Sequence, residues 1–107
     1  MKKIEAIIRE EKLERVKMLL ATLGYNGLTT TDVSGMGVQP KFGSKDRQKE
    51  LLKMKIELVV NDEDVSQVLS AIVRGAKTGG TGDGNIFIIP IENMIRVRTG
   101  DSGINAI

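Results

Sequence analysis

The chain has 107 residues, of which 40% are hydrophobic and 28% are charged, a composition that is ordinary for one globular domain with a single modest core. Its formal net charge of +2 is too small to draw it to nucleic acid or to a membrane surface. Cysteine and histidine are both absent from the sequence. Disulfides, thiolate chemistry, and the commonest metal ligand and general base are therefore excluded.

The N-terminal residues carry no targeting pattern. Lys2, Lys3 and Glu5 place charges where a signal peptide has its apolar segment, and no apolar run approaches the roughly 20 residues that span a bilayer. We therefore expect a cytoplasmic protein.

The first part of the chain predicts a strand, a helix and a second strand. Residues 3–9 are rich in β-branched side chains, which favour a strand. Apolar residues recur at helical spacing over 13–23, and Gly24 follows as a stop signal. Three threonines in residues 28–34 favour the second strand.

Regular patterns resume in the second half. Residues 54–60 alternate apolar and polar side chains and predict a strand, and Asn61 followed by acidic residues is typical of a helix start. The helix carries an apolar stripe of Val65, Val68, Leu69, Ile72, Val73 and Ala76. Strands are predicted at 85–89 and 94–98, whereas the tail of residues 99–107 has no period.

This order of elements predicts an α+β, ferredoxin-like fold. Two βαβ units form an antiparallel sheet with both helices on one face, so the other face stays uncovered. The first strand and residues 85–91 carry apolar residues on both sides, which is typical of strands buried on both faces. We therefore predict a homo-oligomer whose sheets pack against each other.

The glycine loop of residues 77–85 lies between a predicted helix and a predicted strand. Glycine-rich connections are often simple turns, but they also form nests of main-chain amides that bind phosphate. The lysine and hydroxyl residue of a Walker-type loop are missing. Asp83 argues against a highly charged ligand directly beside it, unless its carboxylate caps the loop's own amides.

Two arginines follow in the predicted last strand. Arg96 and Arg98 alternate with apolar residues, so a strand would place both guanidinium groups on one face. Each alone is best interpreted as a solvated residue on an edge strand. As a pair near a nest of amides they fit a bidentate clamp on phosphate oxygens, and together the two features indicate an anionic ligand.

The stretch from Gly35 to about Leu52 has no clear period and mixes both signs of charge over 41–50. A solvated loop is the simplest interpretation, but long loops in small domains are often functional. Catalysis is not indicated, because the carboxylates are scattered and nothing activates a nucleophile. RNA binding is not indicated either, because the three aromatic residues form no stacking motif.

The chain resembles the PII family of nitrogen-regulatory signalling proteins over nearly all of its length. Five stretches carry the resemblance: Lys-Ile-Glu-Ala-Ile-Ile-Arg at 3–9, Gly-Met-Gly-Val-Gln at 35–39, Lys-Met-Lys-Ile-Glu at 53–57, Thr-Gly-Gly-Thr-Gly-Asp-Gly-Asn-Ile-Phe at 78–87, and Ile-Arg-Val-Arg-Thr-Gly at 95–100. The second stretch is similar to the start of the family's effector loop, the T-loop. The last two stretches are specific in combination.

The resemblance implies one PII-like domain over residues 1–107 with a T-loop at 36–52. It implies a homotrimer with an adenine nucleotide, ATP or ADP, in each intersubunit cleft, and AMP is a further candidate. It also implies a regulator without catalytic activity that acts on a target protein in nitrogen metabolism. The implied cleft residues are Ile7, Gly27, Thr29, Gly35, Met36, Gly37, Glu57, Val59, Gly82, Asp83, Gly84, Arg96 and Arg98. Gln39 and Lys53 match positions that help to hold magnesium-ATP and 2-oxoglutarate in the family.

Two departures from the family pattern concern charge. Asn85 stands where the family's glycine loop normally ends in lysine, and Val38 stands where an arginine is usual. Each charge-assisted hydrogen bond is worth roughly 1.5–3 kcal/mol. The losses therefore predict weaker binding of a triphosphate relative to a mono- or diphosphate. The T-loop is also short and lacks the modifiable tyrosine motif.

Two other functions remain open. Asn85 and Val38 are equally compatible with a relative that senses another small ligand, such as a cyclic dinucleotide or bicarbonate. An acyl-phosphate hydrolase on a ferredoxin-like fold would require Arg9 to act with Asn26 or Asn85 around a water molecule.

Overall fold

The computed structural model describes the backbone of residues 1–38 and 48–107, and the side chains of 1–35 and 52–107. The described chain has four strands and two α-helices in the order βαββαβ: β1 Lys2–Arg9, α1 Leu13–Thr22, β2 Thr29–Val38, β3 Gln48–Val60, α2 Val65–Ala76 and β4 Asn85–Pro90. Short 3₁₀ turns at Glu10–Lys12 and Asp62–Asp64 lead into the helices, and a third covers Gly103–Ala106.

The sheet has the order β2-β3-β1-β4, and every neighbouring pair of these strands is antiparallel. Each helix therefore connects two strands that are separated by a third. This is the ferredoxin-like arrangement that the sequence predicted.

Both helices cover the same face of the sheet. Ile4, Ala6 and Ile8 of β1 are buried in one cluster with Ile56, Leu58 and Val60 of β3, Val16 and Leu20 of α1, and Val68, Ala71, Ile72 and Ala76 of α2. Burial of a large aliphatic side chain contributes about 1.5–3 kcal/mol, so this cluster is the main source of stability.

A close helix contact brings α1 and α2 together. A Cβ built on Gly75 would lie 2.8 Å from Val16 Cγ2 and 3.1 Å from Val16 Cα. Glycine is therefore the residue that lets the two helices approach this closely.

The end of α1 follows the predicted stop signal. Gly24 has φ +90°, its N–H donates to the Ala21 carbonyl at 3.0 Å, and the N–H of Tyr25 reaches back to the Leu20 carbonyl at 3.0 Å. This pair of bonds is the Schellman motif, which satisfies the last carbonyls of a helix. The motif also fixes the point at which the chain turns toward β2.

The prediction that β1 is apolar on both sides was wrong. Burial alternates strictly along it, and the side chains opposite the core are Lys3, Glu5, Ile7 and Arg9, of which only Ile7 is apolar. In the described residues β4 pairs only with β1, and its Phe87, which lies opposite Glu5 on the uncovered face, is about half exposed. The uncovered face is therefore mixed in polarity, and the packing of one sheet on another stays a prediction.

The predicted strand at 94–98 was also wrong. Ile95 forms one isolated bridge with Ser102, and the chain between them is a tight turn in which the Gly100 N–H donates to the Arg96 carbonyl at 2.7 Å. Gly100 has φ +75°, a conformation that favours glycine. A turn removes the strand geometry that would have placed Arg96 and Arg98 on one face.

Other differences are smaller. Ordered pairing extends into the stretch without a clear period, because β2 runs to Val38 and β3 begins at Gln48. Val73, assigned to the apolar stripe of α2, is about half exposed, whereas Gly75 is buried. Among the described residues, no helix is long and apolar enough to cross a membrane.

Candidate ligand-binding surfaces

A cavity of about 750 Å³ lies where α1 leads into β2. Its lining combines the loop after α1, one end of β1 and β3, and the C-terminal tail: Lys3, Gly24, Tyr25, Asn26, Gly27, Leu28, Thr29, Glu57, Leu58, Val59, Met94, Arg96, Ala106 and Ile107. The cavity thus brings together five of the predicted site residues, Gly27, Thr29, Glu57, Val59 and Arg96. A Cβ on Gly27 would meet nothing within 4 Å, so this wall of the cavity is open.

One ion pair lies on the floor of this cavity. The Lys3 ammonium is 2.7 Å from a carboxylate oxygen of Glu57. This hydrogen bond raises the pKa of Lys3 and lowers the pKa of Glu57, so both groups are charged at neutral pH. Glu57 is therefore neutralised by its neighbour and does not repel an anion as a lone carboxylate would.

Tyr25 closes the side of the cavity next to α2. Its hydroxyl donates to Asp64 at 2.5 Å, and its ring packs against the core. Burial, followed by the hydrogen bond to Asp64, raises the pKa of Tyr25. The contact ties the loop after α1 to the start of α2 and so fixes the shape of this wall.

Arg96 lies at the opposite side, held by the tail. Its Nη2 donates to the main-chain oxygens of Ala106 at 3.0 Å and Ile107 at 3.2 Å. Ala106 is 1% exposed, so the tail is packed into the cavity wall.

The glycine loop is held from within by one carboxylate. Asp83 accepts hydrogen bonds from the Thr78 hydroxyl, and from the N–H groups of Thr78 and Gly79 at 2.8 Å each. These bonds, with that of the Thr78 hydroxyl the strongest, hold the pKa of Asp83 well below its usual range. The expectation that Asp83 caps the loop's own amides is confirmed.

Two cations lie against this loop. Arg9 Nε donates to Asp83 Oδ1 at 3.2 Å, and the rest of its guanidinium group lies over Gly82, where a Cβ would come within 2.9 Å of Nη2. The Lys53 ammonium donates to the Gly82 carbonyl. Arg9 and Lys53 are paired neighbours on β1 and β3, so the sheet register places both beside the loop.

Two of the predicted amide donors have other roles. The Gly82 N–H donates to the Gly80 carbonyl at 3.2 Å, which is at the long end of the range for such bonds. Gly84 has φ +103°, and a Cβ on it would overlap the Ile7 carbonyl oxygen. Glycine at 84 is therefore required by the contact with β1, whatever ligand the loop binds.

The predicted residues fall at two ends of the chain's fold. Glu57 and Val59 line the cavity, whereas Lys53 contacts the glycine loop. At about 3.3 Å per residue, Lys53 is about 13 Å from Glu57 and about 20 Å from Val59 along β3. One copy of the chain does not bring the glycine loop and the cavity together around a single small ligand.

Several predicted residues lie outside both groups. Ile7 is on the uncovered face beside Phe87. Gly35 pairs with Leu51 in β2 and β3, two residues beyond the pairing of Val33 with Lys53, and Arg98 is exposed in the turn after Arg96. Met36 and Gly37 have described backbone in β2, and Gln39 lies outside the described residues.

Sequence reasoning missed three contributors to these surfaces. Lys3 and Arg9 lie in the stretch 3–9 that carries the family resemblance but were given no role in the cleft, and the hydrolase hypothesis used Arg9 for a different purpose. Tyr25 lies in none of the motifs. A pairing register for β1 and β3 would have revealed both cations, because it aligns Arg9 with Lys53 and Lys3 with Val59. Among the described residues, no group of three or more acidic side chains could hold a metal ion.

Comparisons with known proteins agree with the motif resemblance. The family model described as Nitrogen regulatory protein P-II matches residues 1–101. Nitrogen regulatory protein P-II 2 of Methanothermobacter thermautotrophicus is 48% identical, with 100% of this chain and 97% of that protein covered. Nitrogen regulatory protein P-II of Nostoc punctiforme is 44% identical and that of Bradyrhizobium diazoefficiens 46% identical, each with full coverage of both chains.

Proposed function

The chain belongs to the nitrogen regulatory protein P-II family, and from that premise we propose that it binds an adenine nucleotide between neighbouring copies of a homotrimer. The bound nucleotide sets the shape of the T-loop, residues 36–52, which then docks on a target protein or releases it. The protein acts as a signal transducer in nitrogen regulation.

The observation that carries the proposal is the separation of the two ends. Along β3, Lys53 beside the glycine loop lies about 13 Å from Glu57 and about 20 Å from Val59, which both line the cavity. A site that uses both ends requires the glycine-loop end of one copy to face the cavity end of another. A cyclic trimer repeats such a head-to-tail contact and closes it.

The chemistry of each end suits part of a nucleotide. The glycine-loop end supplies two cations, Arg9 and Lys53, which suit phosphate oxygens, and the long bond of the Gly82 N–H within the loop makes this group a further donor. The cavity end supplies main-chain groups and apolar side chains such as Leu28 and Val59, which suit a base and ribose. Arg96 at its rim adds a third cation.

The T-loop is placed to respond to the ligand. Its two stems are the paired ends of β2 and β3, and Lys53 lies at the base of the second stem. A phosphate that draws the Lys53 ammonium from the Gly82 carbonyl acts directly on this stem.

Magnesium and 2-oxoglutarate fit the same end only in part. Lys53 and Arg9 offer charge-assisted bonds to a dicarboxylate. The described residues offer no carboxylate cluster for the metal, so magnesium would depend on phosphate oxygens and on Gln39.

A mixing experiment tests the shared cleft. Arg9→Ala damages the glycine-loop end and Gly27→Val fills the cavity wall, so each variant alone is expected to bind ATP and ADP poorly in calorimetry. Unfolding and reassembling the two together creates clefts with both ends intact, about a quarter of the total for random mixing in a cyclic trimer.

Restored binding supports the proposal. A mixture as inactive as its parents, or a wild-type protein that is monomeric, contradicts it, and wild-type binding of a cyclic dinucleotide or bicarbonate instead favours the alternative ligand.

A further inference from the structure

The C-terminal tail accepts hydrogen bonds from Arg96, a cation that the proposed anionic ligand would also use. Arg96 Nη2 donates to the oxygens of Ala106 at 3.0 Å and Ile107 at 3.2 Å, so both of its hydrogens are engaged. A guanidinium group binds a phosphate with two parallel bonds, either from Nη1 and Nη2 or from Nε and Nη2. Both arrangements use Nη2. While the tail is docked, Arg96 offers an anion single bonds only.

The docked tail is held by a small number of contacts. The Gly103 N–H donates to the Asn93 side chain at 2.9 Å and to the Met94 carbonyl at 3.0 Å, and Gly103 has φ +65°. Beyond it, Ala106 is buried, whereas Ile104 and Asn105 are exposed. Such a short segment can leave the cavity without disturbing the sheet or the helices.

We propose that residues 103–107 act as an internal competitor of the anionic ligand for Arg96. Docking of the tail lowers the affinity for a phosphate-bearing ligand, and ligand binding releases the tail. This inference rests on the proposed function, because it concerns the same cleft.

The competition has a chemical direction. The Ala106 carbonyl is a neutral acceptor, whereas a phosphate group carries up to two negative charges, so a phosphate is the stronger partner for a guanidinium group. The tail has the advantage of being part of the same chain, which gives it a high effective concentration. The balance therefore responds to ligand concentration, and a release of the tail accompanies binding.

Two neutral substitutions in adjacent residues test this. Ala106→Gln places a longer side chain where the alanine is buried and displaces the tail, whereas Asn105→Gln changes an exposed residue and serves as the control. In calorimetry with ADP and ATP we expect Ala106→Gln to bind about tenfold more tightly than wild type, which corresponds to 1.4 kcal/mol. Asn105→Gln should bind as wild type does.

A second variant and a second measurement guard against misfolding. Asn93→Ala removes one of the two acceptors of the Gly103 N–H, loosens the tail from outside the cavity and should also increase affinity. Hydrogen exchange of the wild-type tail should speed up on saturation with nucleotide.

The outcomes separate the two proposals. Equal or weaker binding by Ala106→Gln and Asn93→Ala, or slower tail exchange with nucleotide, overturns the competition and leaves the nucleotide site standing. Absence of nucleotide binding in all proteins overturns the proposed function and the competition together.

Discussion

Arg9 at the end of β1 donates from Nε to Asp83 Oδ1 at 3.2 Å, and this bond fastens the glycine loop to the end of that strand. The same carboxylate accepts from Thr78 and Gly79. One side chain therefore organises the loop internally and attaches it to β1. Its loss should disturb the loop without touching the core.

We expect Asp83→Asn to lower the free energy of unfolding at pH 7, because a neutral amide cannot replace the carboxylate. The folded pKa of Asp83 lies below the unfolded value of about 3.9, so its contribution is present above that pH and lost as the pH falls below it. Urea unfolding at pH 7 and pH 3 should show the gap between variant and wild type shrinking at pH 3. Asp32→Asn, at an exposed position in β2, is the control, and a gap that is constant with pH would contradict the role of the charge.

Tyr25 provides a direct spectroscopic test of its burial. It is the only tyrosine, and the chain has no tryptophan, so its ionisation can be followed by absorbance. Its raised pKa predicts a midpoint above the value of about 10 for free tyrosine, and a return to that value in denaturant. A folded midpoint at or below 10 would show that the ring is solvated.

Removing the hydroxyl should also change stability. Tyr25→Phe loses the bond to Asp64 and should cost about 1–2 kcal/mol at neutral pH, near the lower end for a charged acceptor because the pair is partly exposed. The wild-type advantage is full below about pH 10 and lost as the pH rises through the raised folded pKa. The unfolding curves of wild type and Tyr25→Phe should therefore differ at pH 7 and move together at pH 11.

The contact between Gly75 and Val16 sets two effects against each other. Alanine at 75 gains about 1 kcal/mol of helix propensity, but its Cβ would meet Val16 at 2.8 Å and the α1 backbone at 3.1 Å. Overpacking costs typically 1–3 kcal/mol, and backbone cannot move aside as a side-chain tip can. We expect a net loss of stability in Gly75→Ala by thermal unfolding. Ser70→Ala, exposed on the same helix, should be neutral or slightly stabilising, and equal behaviour of the two variants would refute the close contact.

Alanine substitutions at two glycines near the proposed cleft should have different effects on stability. Gly84→Ala meets both a positive φ and the Ile7 carbonyl, and should cost about 2 kcal/mol or more. Gly27→Ala enters open space and should change stability by less than about 0.5 kcal/mol while weakening nucleotide binding. Thermal unfolding and calorimetry on the same samples separate folding from binding. Unchanged affinity in Gly27→Ala would remove that residue from the cleft.

Asn85 tests the predicted weakness toward triphosphates. It is exposed at the start of β4, directly after the glycine loop. Asn85→Lys restores a cation and should raise affinity for ATP relative to AMP by about tenfold, the lower value of one charge-assisted bond. Asn85→Gln controls for side-chain length. Equal gains for ATP and AMP would place the side chain away from the outer phosphates.

The regular elements were predictable because their signals are local. The periodicity of α1 and its Gly24 stop depend on residues a few positions apart, and both are confirmed. The predicted strand at 94–98 failed because four alternating residues are too few to outweigh the turn that Gly100 permits. The alternation of apolar and cationic residues there reflects no sheet at all.

The candidate site was predictable only in part, because it depends on pairing between distant residues. The capping role of Asp83 follows from residues four or five positions away. The contact of Arg9 with the same carboxylate spans 74 positions and requires knowledge of the sheet register. The roles of the predicted cleft residues in binding stay predictions that the experiments above address.

The distance between the glycine loop and the cavity has a further consequence for the proposed cleft. A ligand held by two copies binds only the assembled protein and stabilises it by mass action. Dilution would then weaken nucleotide binding. A cell that lowers the abundance of this chain would have fewer copies to signal with, and each remaining copy would bind nucleotide less tightly.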